Sequence, residues 1–285
     1  MKLKNGDKIG IVACSNGQPL SYKTKIEELL KVITEIGLIP VCSNFIFQKY
    51  SVFSGSPKER AKALLKFYND VEIKAIFDIS GGDIANEILE YLDFNLIKNS
   101  SKPFFGYSDL TTIINAIHSK TGETSYLYQI RNLIYDNKEL QVKWVTNSLF
   151  YGQKDLFDIK YSFIQGNKME GVVVGGNIRC LLKLAGTPYL PEFENKILLL
   201  EAFGGDVALI TTFFNQLKQM GVFSKINGIL LGTFTKMEEN NLKPTVEEIL
   251  INVLNDRQLP IAKTKDIGHG IDSKCIAIGK FISLY

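Results

Sequence analysis

The sequence predicts an α/β protein made of two domains, and three observations support this. Short apolar runs alternate with amphipathic stretches over residues 8–120, an irregular segment follows over residues 122–168, and a second alternation runs from 171 to 284. Alternating strands and helices are typical of parallel sheets covered by helices. We therefore expect an N-terminal α/β domain over residues 1–165 and a C-terminal α/β domain over residues 166–285.

The predicted elements follow the apolar pattern in order. In the first alternation, strands and helices take turns over residues 8–14, 23–36, 39–43, 57–68, 75–80, 84–92, 103–107 and 110–120. The irregular segment contains one helix near residues 139–150. The second alternation covers residues 171–174, 178–184, 196–203, 207–220, 226–234, 245–254 and 276–284. Ser56 precedes Pro57 and is three residues before Glu59, the order of a capping box, so we assign Ser56 a structural role.

Charge and hydropathy exclude several functional classes. The 33 Lys and Arg residues nearly balance the 30 Asp and Glu residues, so the net charge of +3 gives no strong attraction to nucleic acid or anionic lipid. No apolar run approaches the ~20 residues of a membrane-spanning helix, and no export signal is evident near the start. We expect a cytoplasmic protein whose partners are neither nucleic acids nor membranes.

The residue types that most often bind transition metals, cysteine and histidine, are few and scattered in this sequence. The four cysteines form no paired motif, and the sequence contains only two histidines. This pattern argues against a zinc site or a disulfide framework, although a site made only of carboxylates stays open. We expect chemistry that needs no metal and no cofactor.

Ser108 is the candidate nucleophile. It lies where the predicted strand at residues 103–107 meets the predicted helix at residues 110–120. A sharp strand-to-helix turn exposes a serine hydroxyl, and the free N–H groups of the helix start can face developing negative charge. In the alternative interpretation, Ser108 or Asp109 only caps the helix.

A serine nucleophile needs a base, and the sequence has two histidines to offer. His118 follows Ser108 by ten residues, which is ~15 Å along a helix and outside hydrogen-bonding reach. His269 lies between Gly268 and Gly270, which permit a tight loop, and it is the better candidate. A turn histidine without a catalytic role is the alternative.

The third member of a triad would be a carboxylate that orients the imidazole. Glu201 ends the apolar run at residues 196–200, so its charge appears where a buried strand emerges into a loop. The spacing also leaves Asp206, Asp266 and Asp272 open as competitors.

Backbone amides near Ser108 are the candidates for an oxyanion hole. The Asp109 N–H follows the nucleophile directly, and Gly82 follows the predicted strand at residues 75–80. Gly81, Asp83 and Tyr107 adjoin these positions and are candidates for contacts with substrate. A plain strand-to-helix turn is the alternative interpretation of the glycine pair.

Taken together, these segments resemble the L,D-carboxypeptidase family, which includes the microcin C self-immunity peptidases. The resemblance covers nearly the whole chain, and its motifs occur in one order: Lys8-Ile9-Gly10-Ile11-Val12-Ala13, Ser80-Gly81-Gly82, Gly106-Tyr107-Ser108-Asp109, Gly175-Gly176-Asn177, Gly186-Thr187-Pro188, Leu199-Leu200-Glu201, Leu231-Gly232-Thr233-Phe234 and Ile267-Gly268-His269-Gly270.

The resemblance implies both a fold and an activity. The fold is a flavodoxin- or class I amidotransferase-like N-terminal domain with a parallel sheet, joined to a smaller C-terminal α/β domain of swivelling β/β/α type, as a homodimer. The implied activity is that of a serine hydrolase with Ser108 as nucleophile, Glu201 and His269 as its partners, and Gly82 and Asp109 amides as the oxyanion hole. Its substrate is a small peptide or a peptide-like molecule.

Two departures from the family bear on substrate recognition. A glycine–proline pair common in relatives is missing after residues 125–129, and so is an arginine in the helix over residues 207–220. Three hypotheses therefore stay open: removal of a terminal D-amino acid from an L,D-linked cell-wall tetrapeptide, cleavage of an aminoacyl nucleotide, and non-catalytic ligand binding. The second would need an aromatic residue to stack on the nucleobase, such as Tyr126, Tyr128 or Trp144.

Overall fold

Residues 2–285, which the computed structural model describes, form two six-stranded sheets with helices packed against them. The strands are β1 (Lys8–Val12), β2 (Ile39–Cys42), β3 (Ile73–Asp78), β4 (Phe104–Gly106), β5 (Ser125–Leu127), β6 (Ser162–Gln165), β7 (Met169–Asn177), β8 (Lys196–Ala202), β9 (Gly228–Phe234), β10 (Ile261–Lys263), β11 (Ile276–Ile278) and β12 (Phe281–Leu284). The α-helices are α1 (Lys23–Glu35), α2 (Pro57–Asn69), α3 (Phe94–Ser100), α4 (Thr111–Thr121), α5 (Lys138–Leu149), α6 (Ile178–Leu182), α7 (Val207–Gln219), α8 (Thr235–Glu239) and α9 (Val246–Leu254). Short 3₁₀ helices cover Leu20–Tyr22, Ala85–Tyr91, Ser108–Leu110 and Ile130–Ile134.

Both sheets are mostly parallel. The first has the strand order β11-β5-β4-β3-β1-β2, and the second has the order β12-β7-β8-β9-β10-β6. Three strands pair antiparallel to their neighbours: β11 with β5, β12 with β7, and β6 with β10. The predicted architecture of two α/β domains is confirmed.

One strand from each predicted domain pairs in the sheet of the other domain. The single strand expected over residues 276–284 is instead two strands, because Gly279, with φ of +88°, turns the chain between them. The first of these, β11, completes the first sheet, while β12 lies in the second. Conversely β6, which precedes residue 166, pairs in the second sheet. The domain boundary near residue 165 stays a prediction.

Two of the predicted helices differ in how well local sequence predicted them. The Ser56 hydroxyl accepts a hydrogen bond from the Glu59 N–H, and the Glu59 carboxylate accepts one from the Ser56 N–H, so the predicted capping box is present. The segment expected as a helix over residues 84–92 is a 3₁₀ helix, Ala85–Tyr91, rather than an α-helix.

Helix α4 joins the two domains. Its Ile113 and Ile117 belong to one buried cluster with Val173 and Leu199 of the second sheet. The Asn115 side chain donates to the Gly175 carbonyl at 2.9 Å and accepts from the Gly175 N–H at 2.9 Å. Because the 3₁₀ helix Ser108–Leu110 leads directly into α4, these contacts hold the candidate nucleophile against the second sheet.

None of the helices in the part of the chain that the structure describes has the length and apolar character needed to cross a membrane. Over the same residues, 2–285, no three His, Cys, Asp or Glu side chains are grouped as a metal site would require.

Candidate active site

A cleft of about 720 Å³ lies where loops from both domains meet. Its lining includes six of the residues that the sequence singled out: Gly81, Gly82, Asp83, Tyr107, Ser108 and His269. The other two, Asp109 and Glu201, lie behind the wall with exposed fractions of 0% and 1%. The fold therefore brings all eight predicted site residues to one region.

Ser108 occupies a strained turn between β4 and α4. Its φ is +54°, in the left-handed region that residues with a side chain rarely adopt. Such a conformation costs about 1–3 kcal/mol and occurs most often at functional sites. The alternative capping role is not observed, because neither Ser108 nor Asp109 makes a side-chain cap to the helix start.

Glu201 reaches the site because of strand alternation. Ile197 and Leu199 of β8 pack toward the first domain in the shared cluster, and Glu201 continues the same face. The register between β8 and β9 is irregular from Leu200 to Ala202, a feature that redirects side chains at strand ends. The result is a buried carboxylate beside the domain interface.

The imidazole of His269 is held by this carboxylate. Its Nδ1 lies 2.7 Å from Glu201 Oε2, and both side chains are almost completely buried. The loop needs glycine beside it, since Gly268 has a φ of +146° and a Cβ there would lie 1.9 Å from Thr233 Oγ1. Of the competing carboxylates, Asp206 caps α7 and Asp266 accepts from the Lys160 N–H.

The second ring nitrogen of His269, the buried Nε2, makes no hydrogen bond to the described residues, 2–285. The rings of Tyr107 and Phe203 flank the imidazole, with centroid distances of 4.9 and 5.3 Å. Ser108 lines the same cleft, so the serine, the imidazole and the carboxylate lie together, with only the imidazole–carboxylate hydrogen bond already formed.

The loop with the paired glycines lies against the turn that contains Ser108. A Cβ on Gly81 would be 4.0 Å from Ser108 Cβ, and a Cβ on Gly82 would be 2.2 Å from the Asn16 side chain. Only glycine fits the second position, which also has a φ of +122°. Two candidate oxyanion donors, the amides of Gly82 and Asp109, are thus carried by neighbouring loops.

Asp78 supports the glycine loop from below. Its carboxylate accepts hydrogen bonds from the Cys14 N–H at 2.8 Å and from the Ser80 N–H at 2.7 Å. Burial raises the pKa of Asp78, and these hydrogen bonds oppose the effect. The carboxylate therefore ties the end of β1 to the end of β3, three residues before Gly81.

Two basic residues that the sequence analysis did not identify bind the glycine loop and the turn after Ser108, and so connect them to the second domain. Arg179 of α6 pairs with the Asp83 carboxylate and donates to the Gly82 carbonyl at 3.0 Å. Lys183 donates to the Asp109 carboxylate at 2.5 Å and to the Asp83 carbonyl at 2.8 Å. The available signal was a pair of cations four residues apart, with Arg179 in α6 and Lys183 directly after it, but this spacing does not say which carboxylates they pair with.

Replacing Lys183 by methionine is expected to lower the free energy of unfolding by about 3 kcal/mol, because the buried Asp109 carboxylate would lose its cation. Urea unfolding followed by circular dichroism measures this. The matched control is Lys225→Met, since the ion pair of Lys225 with Glu194 is exposed and should contribute less than about 1 kcal/mol. Equal losses in the two variants would contradict the expectation.

Of the aromatic residues proposed for stacking, none lines the large cleft. Tyr126 stacks on Phe105 at 4.6 Å, and Lys274 lies over the ring of Trp144. Tyr128 borders a cavity of about 10 Å³ beside Ser108, which is too small for a nucleobase. Phe203, which follows Glu201 by two residues, does line the cleft beside His269, and it is 50% exposed.

Comparisons with known proteins cover both halves of the chain. A family model described as the LD-carboxypeptidase N-terminal domain matches residues 9–128, and one described as the LD-carboxypeptidase C-terminal domain matches residues 170–284. The microcin C7 self-immunity protein MccF of Escherichia coli is 27% identical over 93% of this chain and 86% of its own length. A probable murein peptide carboxypeptidase of Bacillus subtilis is 28% identical over 97% of this chain and 88% of its own.

The fold has a close counterpart among solved structures. MccF in complex with glutamyl sulfamoyl guanosine superposes with a TM-score of 0.87, covering 99% of this chain and 94% of that one at 23% identity. This agreement concerns the fold, whereas the two family models cover the segments that contain Ser108, Glu201 and His269. The chain belongs to the LD-carboxypeptidase family and is a hydrolase of the serine peptidase class.

Proposed function

We propose that this enzyme is an L,D-carboxypeptidase that removes the terminal D-amino acid from L,D-linked cell-wall tetrapeptides. The observation that carries the proposal is the hydrogen bond between Glu201 and His269 Nδ1, with Nε2 left unpartnered beside the cleft that Ser108 lines. A carboxylate bonded to one imidazole nitrogen leaves the other nitrogen as a base. The relative named as a probable murein peptide carboxypeptidase supports the substrate class.

In the proposed acylation, Ser108 Oγ attacks the carbonyl carbon of the L,D amide while His269 Nε2 takes the hydroxyl proton. The carbonyl oxygen becomes an oxyanion, which the backbone N–H groups of Gly82 and Asp109 stabilise. Collapse of this intermediate breaks the C–N bond, and the imidazolium gives its proton to the departing D-amino acid. Glu201 stabilises the imidazolium that exists between these two transfers.

In the proposed deacylation, water replaces the amine. His269 takes a proton from the water, whose oxygen attacks the ester carbon of acylated Ser108. The ester bond breaks, the proton returns to Ser108 Oγ, and the shortened peptide leaves with a new carboxylate.

Incubation of the protein with an L,D-tetrapeptide is the direct test. Release of free D-alanine, with a tripeptide as the second product, is expected. A pentapeptide ending in a D,D amide is the control substrate and should stay intact. Failure of active, phosphonate-reactive protein to release D-alanine would reject the tetrapeptide as substrate.

One observation favours a second substrate class, an aminoacyl nucleotide. The half-exposed ring of Phe203 lies in the cleft beside His269, where it is available to stack on a nucleobase. MccF, with its bound glutamyl sulfamoyl guanosine, supports this alternative. Hydrolysis of an aminoacyl sulfamoyl adenosine that is weakened by Phe203→Ala, with no D-alanine release from tetrapeptide, would favour it over the first proposal.

Two other expectations stay predictions. The homodimer is checked by sedimentation of the purified protein, and the cytoplasmic location by cell fractionation.

A further inference from the structure

We infer that Arg131 binds the terminal carboxylate of the substrate and so sets the preference for a free carboxyl end. The inference rests on the proposed carboxypeptidase function. The reaction consumes a peptide that ends in a carboxylate, and the cleft must recognise that charge if it is to select chain ends.

The position of Arg131 follows from the topology of the first sheet. Strands β4 and β5 are parallel neighbours, and the Tyr128 N–H donates to the Gly106 carbonyl at 2.8 Å just past their ends. Ser108 follows one strand, and Arg131 follows the other on the 3₁₀ helix Ile130–Ile134. Both residues line the same cleft, at the carboxyl edge where parallel sheets build their sites.

The guanidinium is oriented by neutral groups. Arg131 Nη1 donates to Gln18 Oε1 at 3.2 Å, and Gln18 is itself held by a hydrogen bond to the Ile79 carbonyl at 3.1 Å. With its amide oxygen facing the guanidinium, Gln129 accepts from Arg131 Nε at 3.1 Å and from Nη2 at 2.8 Å. Both glutamines are buried, with exposed fractions of 5%. Gln18 and Gln129 therefore form a cradle that holds the guanidinium in one orientation, unlike that of a mobile surface side chain.

The charge of Arg131 has no counterion of its own. Among residues 2–285, no Asp or Glu oxygen lies within 4.0 Å of its guanidinium nitrogens. The other arginine of the cleft, Arg179, is neutralised by Asp83. The three contacts to glutamine use three of the five N–H groups of a guanidinium, so two remain for a ligand. Planar, paired N–H donors match the two oxygens of a carboxylate.

The cradle is also close to the turn that contains Ser108. Burial raises the pKa of Tyr107, the residue before Ser108, and the nearby charge of Arg131 opposes this effect. A substrate whose carboxylate contacts Arg131 would therefore place its last amide bond near Ser108.

Two peptides that differ only at the chain end test the inference. Both have the sequence L-Ala-D-γ-Glu-L-Lys-D-Ala, one ending in a carboxylate and the other in a carboxamide, so neither contains a diaminopimelate carboxylate. Binding is measured by calorimetry in a Ser108→Ala background, which prevents turnover. Arg131→Gln should weaken binding of the carboxylate peptide about 10- to 100-fold and change binding of the carboxamide by less than about 3-fold.

Controls separate this inference from the proposed function. Arg257→Gln removes the same charge from an exposed loop and should change neither affinity, and Arg131→Lys should recover part of the carboxylate preference. Equal effects of Arg131→Gln on both peptides, no effect on either, or no binding of either peptide by the Ser108→Ala protein would overturn the inference. D-alanine release in the Ser108 protein is scored independently, so the hydrolase can stand while the carboxylate subsite fails.

Discussion

Alanine in place of Ser108 is expected to lower kcat for D-alanine release by about 10⁴-fold or more, since it removes the atom that forms the acyl-enzyme. KM should change much less, because the cleft and its charges are untouched. The same variant should lose all labelling by a serine-directed fluorophosphonate, measured by intact mass. The fold should persist, because the hydroxyl of Ser108 does not cap helix α4.

A second serine supplies the control for this experiment. Ser162→Ala changes an exposed residue at the start of β6, in the strand at the edge of the second sheet. Its kcat and its labelling should match those of the unchanged protein. Full labelling of the Ser108→Ala protein would show that another residue is the nucleophile, and the proposed mechanism would then be wrong.

Replacement of Glu201 by glutamine is expected to lower kcat by about 10⁴-fold while the fold is retained. Glutamine has nearly the same shape, but it carries no charge to stabilise the imidazolium of His269, and its NH₂ group can favour the wrong tautomer. Steady-state kinetics measure this change. KM should be nearly unaffected, because Glu201 lies behind the cleft rather than among the residues that line it.

The carboxylates that the sequence left as competitors are the matched controls for Glu201. Asp206→Asn should keep kcat within a few fold, since Asp206 accepts a hydrogen bond from the Leu209 N–H and asparagine can also cap a helix. Asp272→Asn changes an exposed side chain and should have no larger effect. A loss of kcat in either variant that equals the loss in Glu201→Gln would contradict the assignment of Glu201.

Local sequence was sufficient to predict most elements but not their pairing. The turn containing Ser108 was recognisable because a strand pattern over residues 103–107 is followed by a helix pattern over residues 110–120. The division of residues 276–284 into β11 and β12 was not recognisable, because both halves are short and apolar. The same limit applies to residues 84–92, where an apolar period of helical type does not distinguish a 3₁₀ helix from an α-helix.

The candidate active site could also be predicted only in part from the sequence. The candidate catalytic residues could be reduced to a few from the sequence. The evidence was the glycine pairs, the strand-end position of Glu201 and the presence of only two histidines. The role of Arg179 and Lys183 was not visible, because a cation in a helix pairs with whatever lies across the domain interface. Arg131 was missed for a related reason. Its capacity to bind a carboxylate of the substrate depends on having no carboxylate of the protein nearby in three dimensions, and spacing along the chain does not show this.

By itself, the sequence determined the α/β class, the turn at Ser108 and a choice among four carboxylates for His269, since these depend on periodicity and on residue type. Only the tertiary structure decided that Glu201 contacts His269 Nδ1, and that Arg179 is paired with Asp83 while Arg131 has no carboxylate partner among the described residues. The physical reason is that hydrogen bonds and ion pairs act over a few ångströms. Such distances between residues 68 or 96 positions apart are set by how the two sheets pack.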